Sequence, residues 1–170
     1  MNTENLHDEE AFDPKNLYDA KKFNTVFVNR EGFSTKENSA ADLIMQLLEP
    51  GITRAQNEEI FSQLKSRNAQ DMMVEAIRQS ADESQKKIIA AACWESGLDF
   101  SAHFPFFCEL VRTSGLDLAM EAFTVIQEME EDPSQEDVSR QLALIRREQE
   151  PANAMVTELK ELLKSKQHKP

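Results

Sequence analysis

From Ser39 onward, apolar residues recur at helical spacing in short runs, and the links between runs are only a few residues long. Two helices joined so briefly must turn back on each other, which restricts this part of the chain to antiparallel helical hairpins. Composition points the same way. Four Gly and six Pro in 170 residues leave few places where a helix breaks, and the abundant Leu, Ala, Glu, Gln and Lys favour helix. The length suits one compact domain with a tail.

Eight helices are expected. Ser39 can cap the first, whose stripe is Leu43, Ile44, Leu47 and Leu48 and whose stop is Pro50-Gly51. Thr53 opens the second, with Ile60, Phe61 and Leu64 inward. The third spans about 69–80, and the fourth follows Asp82 with Ile88, Ile89, Ala92 and Cys93 inward. Pro105 is tolerated only in a first turn, so the fifth begins near Ala102 to Phe104; it is apolar on two sides and should be wedged between neighbours. The sixth runs from about 117 to 131 and is closed by Pro133; Ser134 caps the seventh. Pro151 ends the seventh and starts the eighth, whose row is Met155, Val156, Leu159, Leu162 and Leu163.

The domains expected are an irregular N-terminal arm over 1–37, a helical domain over 38–166 and a frayed end over 167–170. Within the arm, FNTVFVN alternates like a short strand.

Ser-Gly-Leu-Asp occurs at 96–99 and again at 114–117. A left-handed Gly97 would end one helix, Leu98 would seal it against Cys93, and Asp99 would cap the next; Gly115, Leu116, Val111 and Asp117 repeat the arrangement. These residues are therefore expected to build joints and not a catalytic loop.

The hairpins fall at about 39–67, 69–97, 101–131 and 134–165, a repeat of paired helices whose period suits an α-solenoid. The stretch ADESQKKIIAAACWESGLDFSAHFPFFCELVRTSGLDLAMEAFTVIQEME resembles a HEAT or armadillo-like repeat, above all in the small-residue helix IIAAACWESG. That resemblance implies an all-α, right-handed solenoid of about four antiparallel hairpins, whose second helices line a face that binds a partner. The chain lacks the Asp and Arg ladder of many such proteins, which keeps a compact helical bundle as the alternative.

Chemistry-bearing motifs are scarce. The glycines are too scattered to cradle a nucleotide, Glu4 to His7 is the only Glu-x-x-His, and Cys93 and Cys108 lack metal or redox spacing, so no cofactor and no metal is expected. His103 and Cys108, five apart on a helix, point roughly 140° away from each other; Cys93 with His103 is what a small Cys/His enzyme would have to use.

The net charge of −12 makes nucleic acid a poor partner. The start, MNTENLHDEEAFDPKN, has no basic or apolar leader region, and no stretch approaches the roughly 18 apolar residues of a membrane span, so a cytoplasmic protein is expected.

From 121 to 137 the chain carries seven acidic residues and no Lys or Arg. Glu121, Thr124, Glu128 and Glu131 share helical spacing, and the expectation is a non-enzymatic scaffold that receives a basic protein segment at Glu121, Gln127, Glu128 and Glu131, with Trp94 as an anchor. The alternative is an assembly or regulatory subunit, or homo-oligomer, that exposes an apolar edge at Leu162 and Leu163.

Overall fold

Local capping divides the helices where the sequence places its polar breaks. The computed structural model describes residues 38–148 and 150–167. The expected arm at 1–37, with its strand-like FNTVFVN, lies outside the described residues. The described chain is all-α: α1 (Ala40–Leu47), α2 (Arg54–Ser66), α3 (Gln70–Gln79), α4 (Glu83–Glu95), a 3-10 turn (Ser101–His103), α5 (Phe104–Thr113), α6 (Leu116–Gln127), α7 (Gln135–Arg147) and α8 (Met155–Gln167).

Ser39 and Thr53 each form a reciprocal capping box, with Asp42 and Gln56. Asp82 accepts from Ser84 N at 2.8 Å and Ser134 from Asp137 N at 3.0 Å. Pro105 stands in the first turn of α5, where its missing N–H costs nothing.

Two boundaries differ from expectation, the first for a tertiary reason and the second for a local one. α6 stops at Gln127 and not at 131. The N–H groups of Glu130 and Glu131, which a longer helix would send to the carbonyls four residues back, donate instead to Asp99 Oδ1 at 3.2 Å and Ser101 Oγ at 3.0 Å. α8 starts at Met155 and not at Pro151, because Asn153 Oδ1 accepts from Met155 N at 2.8 Å and takes the capping position.

The core is a row of hairpins. α1 pairs with α2, α3 with α4, α5 with α6 and α7 with α8, and the extensive contacts beyond these join each hairpin to the next in sequence. The strongest such contact is α4 on α6. Along it Gly115 meets Glu83, Asp117 meets Lys87 and Glu121 meets Trp94, so the order rises on both sides and the two helices run parallel. α6 and α8 are parallel as well, with Asn153 against Ser114 at one end and Lys166 against Asp132 at the other.

Among the first helices, Asp71 pairs with His103 at 2.9 Å and Arg78 lies 4.8 Å over the Phe106 ring, so α3 and α5 also run parallel. Phe100, Phe104 and Phe107 are fully buried, and Phe107 meets Phe100 edge-on at 5.6 Å; each such side chain contributes about 1.5–3 kcal/mol of burial.

α5, wedged between α6, α7 and α8, matches its two-sided apolar pattern. Arg112 pairs with Glu148 and ties the end of α5 to the end of α7.

Burial corrects two apolar assignments. Ile88, expected inward, is 41% exposed, because Ile89 takes the core direction beside it. Leu163, expected at an apolar edge, is completely buried with Leu159 in the packing of α8, and Leu162 is half-buried.

The two Ser-Gly-Leu-Asp joints fold differently. Gly97 has φ +63 and ends α4 as expected, its N–H reaching Trp94 O at 3.4 Å. The second bond of this end passes through a side chain: Leu98 N donates to Ser96 Oγ at 3.4 Å, and that hydroxyl donates to Cys93 O at 2.9 Å. Gly115 is not left-handed; at φ −62, ψ 162 it is the extended N-cap of α6. Asp117 does not cap, because it already lies inside the first turn, where it pairs with Lys87 at 3.1 Å. Leu116 is 47% exposed and seals nothing.

Candidate partner-binding face

The expected site residues fall into two groups: Trp94 and Glu121 where the end of α4 meets the middle of α6, and Gln127, Glu128 and Glu131 at and beyond the end of α6. Trp94, half-buried on α4, donates its indole N–H to Glu121 Oε2 on α6 at 2.9 Å. This bond brings two of the proposed contact residues into one unit and holds the Glu121 carboxylate against the seam. Gln127 closes α6 and is exposed, and Glu128, also exposed, is its C-cap.

Glu131 is not on the helical face that its spacing suggested. It lies in the turn beyond α6, fixed by the bond from its N–H to Ser101 Oγ. The ridge is therefore a helix end plus a turn, held from below by Asp99 and Ser101. Burial pushes the Asp99 carboxyl up, but hydrogen bonds from the Ser101 hydroxyl, the Ser101 N–H and the Glu130 N–H outweigh it and hold the group below its ordinary value.

Its charge is partly answered and partly not. Asp132 pairs with Lys166 at 2.6 Å, and Glu136 and Asp137 pair with Arg140. Among the described residues no ion pair reaches Glu128, Glu130 or Glu131. Glu95, one residue from Trp94, lies near Glu121: partial burial first, and the neighbouring Glu121 charge second, push its carboxyl up. The carbonyl ends of α4 and α6 add partial negative charge, one at each group.

Pattern reading found the acids but missed Glu95, because it sits on another helix and only the parallel packing brings it close. It also missed Asn153 and Glu83 as joint residues. Asn153 Nδ2 donates to Val111 O and Ser114 O, each at 2.9 Å, and Glu83 Oε1 accepts from Gly115 N at 2.9 Å. An Asn two residues after Pro151 and two before the helix is a turn-and-cap signal that could have flagged the first.

The residues of the Cys/His alternative do not converge. His103 faces Asp71 and lies tilted against Phe100, while Cys93 and Cys108 are free and buried. Burial pushes both thiols up, away from the thiolate a nucleophile needs; at Cys108 it outweighs the opposing Arg112 charge.

Among the described residues, no group of three or more His, Cys, Asp or Glu could hold a metal, and no helix is long and apolar enough to cross a membrane. In comparisons with protein-family models, curated proteins and solved structures, nothing matches this chain.

Proposed function

We propose that the protein is a non-enzymatic interaction scaffold, a right-handed HEAT/armadillo-like α-solenoid whose second helices receive a basic segment of a partner protein in the cytoplasm. The solenoid is favoured over a compact bundle by the packing order: hairpins touch their sequence neighbours, and successive helices of one layer run parallel. A closed bundle would bring distant hairpins together.

The observation that carries the function is an acidic run along α6 and the turn after it, Glu121 with Glu95 of α4 beside it and then Glu128, Glu130 and Glu131, with no basic side chain paired to the last three among the described residues. A partner cation gains attraction there without displacing an internal ion pair. Trp94, already held by Glu121, supplies a rigid apolar surface beside the charges.

The test is affinity capture from native lysate at rising salt, with the wild-type chain and with Glu128→Lys/Glu131→Lys as bait. Both substitutions are exposed and leave the Trp94 to Glu121 bond in place. The expected result is a set of partners lost with salt and lost with charge reversal, since such contacts are screened within about 8–10 Å near physiological ionic strength. Partners retained unchanged by the reversed bait would move the site off this face.

A further inference from the structure

Beside Glu95 lies a groove of about 160 Å³ between the end of α1, α2 and α4, walled by Leu47, Phe61, Ile88 and Ala91 and bordered by Asn57 and Glu95. We propose that this groove seats one large apolar side chain of a basic amphipathic segment, whose neighbouring cation is held between Glu95 and Glu121. The proposal rests on the acidic-face function above and adds to it the apolar half of the partner.

Four observations carry it. The groove, about 160 Å³ and open to solvent, has room for one aromatic ring laid against its apolar wall. Ile88 leaves 41% of its surface open although the core side of the same helix is closely packed, so an apolar wall stands ready on the solvent side. Asn57 lines the groove with its Oδ1 covered and without a hydrogen-bond partner, so a rotation of this half-buried side chain toward the groove would let a partner's N–H satisfy it.

Charge supplies the fourth. Glu95 at the margin of the groove feels the negative charge of Glu121, and a cation placed between them relieves that repulsion. Lys87, which also lines the groove, cannot fill this role while it pairs with Asp117 at 3.1 Å. The occupant is thus an apolar side chain with a Lys or Arg close along the same segment, a combination that neither a free metal ion nor a purely basic tail provides.

The probe is a synthetic 18-residue helical peptide of Lys and Ala with a single central Phe, titrated into the 15N-labelled full chain and followed by amide shifts. Two control peptides carry Phe→Ala and Lys→Glu. The expected result is shifts at Phe61, Ile88 and Ala91 together with Glu95 and Glu121, about tenfold weaker or more for the Phe→Ala peptide, and none for the Lys→Glu peptide. Ile88→Glu, at an exposed position, should weaken the Phe peptide to the level of the Ala peptide and leave the folded spectrum intact.

Equal binding of the Phe and Ala peptides, with shifts confined to 127–131, overturns the groove and leaves the acidic face standing. No shift with any peptide overturns both. A concentration-dependent dimer in light scattering that Ile88→Glu abolishes assigns the groove to a second copy of the chain and overturns the proposal.

Discussion

Ser96-Gly97-Leu98-Asp99 and Ser114-Gly115-Leu116-Asp117 are the same four residues folded in two ways. At the first joint the helix end is sealed locally: Gly97 turns left-handed, Ser96 relays a hydrogen bond to Cys93 O, and Asp99 reaches forward to Ser101. Distant groups, Gln70 Nε2 and the Glu130 N–H, bond only to the last residue, Asp99. At the second joint the chain is sealed by others. Glu83 of the preceding hairpin takes the Gly115 N–H, and Asn153 of the following one takes the carbonyls of Val111 and Ser114. A tetrapeptide therefore sets where helices change, while the neighbours decide which conformation completes the change.

The largest expected effect follows from that division. Asn153→Ala removes the side-chain donor to the Val111 and Ser114 carbonyls and the cap of Met155, at a cost of about 2–3 kcal/mol. Its local counterpart Ser96→Ala breaks one buried relay of two bonds, against the three bonds of Asn153, at about 1–2 kcal/mol. Urea unfolding midpoints compare the two. If Ser96→Ala costs as much as Asn153→Ala, the second joint does not depend on its neighbours more than the first does.

Gly97→Ala comes next. Its Cβ would meet only Lys65 Nζ, at an ordinary 3.5 Å, so the cost is conformational: about 1–2 kcal/mol for an L-residue at φ +63. Gly97→Asn should recover part of it, since Asn tolerates the left-handed region. Equal loss for Ala and Asn would mean that space, and not backbone conformation, selects the glycine.

The first joint also carries a pH signature. Asp99 has a folded pKa below its unfolded value of about 3.9, so its contribution is present above that value and is lost as pH falls through the lower, folded pKa. Comparing wild type with Asp99→Asn by urea unfolding should give a deficit for the variant at pH 7 that shrinks steadily below pH 4. A deficit independent of pH would assign the role of Asp99 to packing alone.

These same residues mark how far the sequence could be read. Helices, caps and the hairpin order were legible because each depends on neighbours within four residues: Ser39, Thr53, Asp82 and Ser134 cap where their types and positions indicate. The end of α6 was not legible, because Asp99 and Ser101, some 30 residues away, capture the N–H groups that would have extended it. That capture takes Glu131 off the helix, and the parallel packing of α4 on α6 adds Glu95. Long-range pairing of this kind leaves no periodic trace, so the acidic character of the face was readable and its geometry was not.

The smallest effect gives the finest test of the two joints. Gly115 has a backbone any residue can adopt, yet an added Cβ would stand 2.9 Å from Glu83 Oε1. That oxygen is the free end of a flexible side chain on the surface, so it can swing aside, and what is lost is the exposed bond from Gly115 N. Gly115→Ala should therefore cost only about 0.5–1 kcal/mol, including the poorer N-cap. In a Glu83→Ala background the clash and the bond are already gone, and the cost of Gly115→Ala should fall to that of the cap alone, a coupling of about 0.5 kcal/mol in a double-mutant cycle. A Gly115→Ala penalty that matches Gly97→Ala and ignores Glu83 would show the second glycine to be held by its own backbone after all, and the contrast between the joints would be lost.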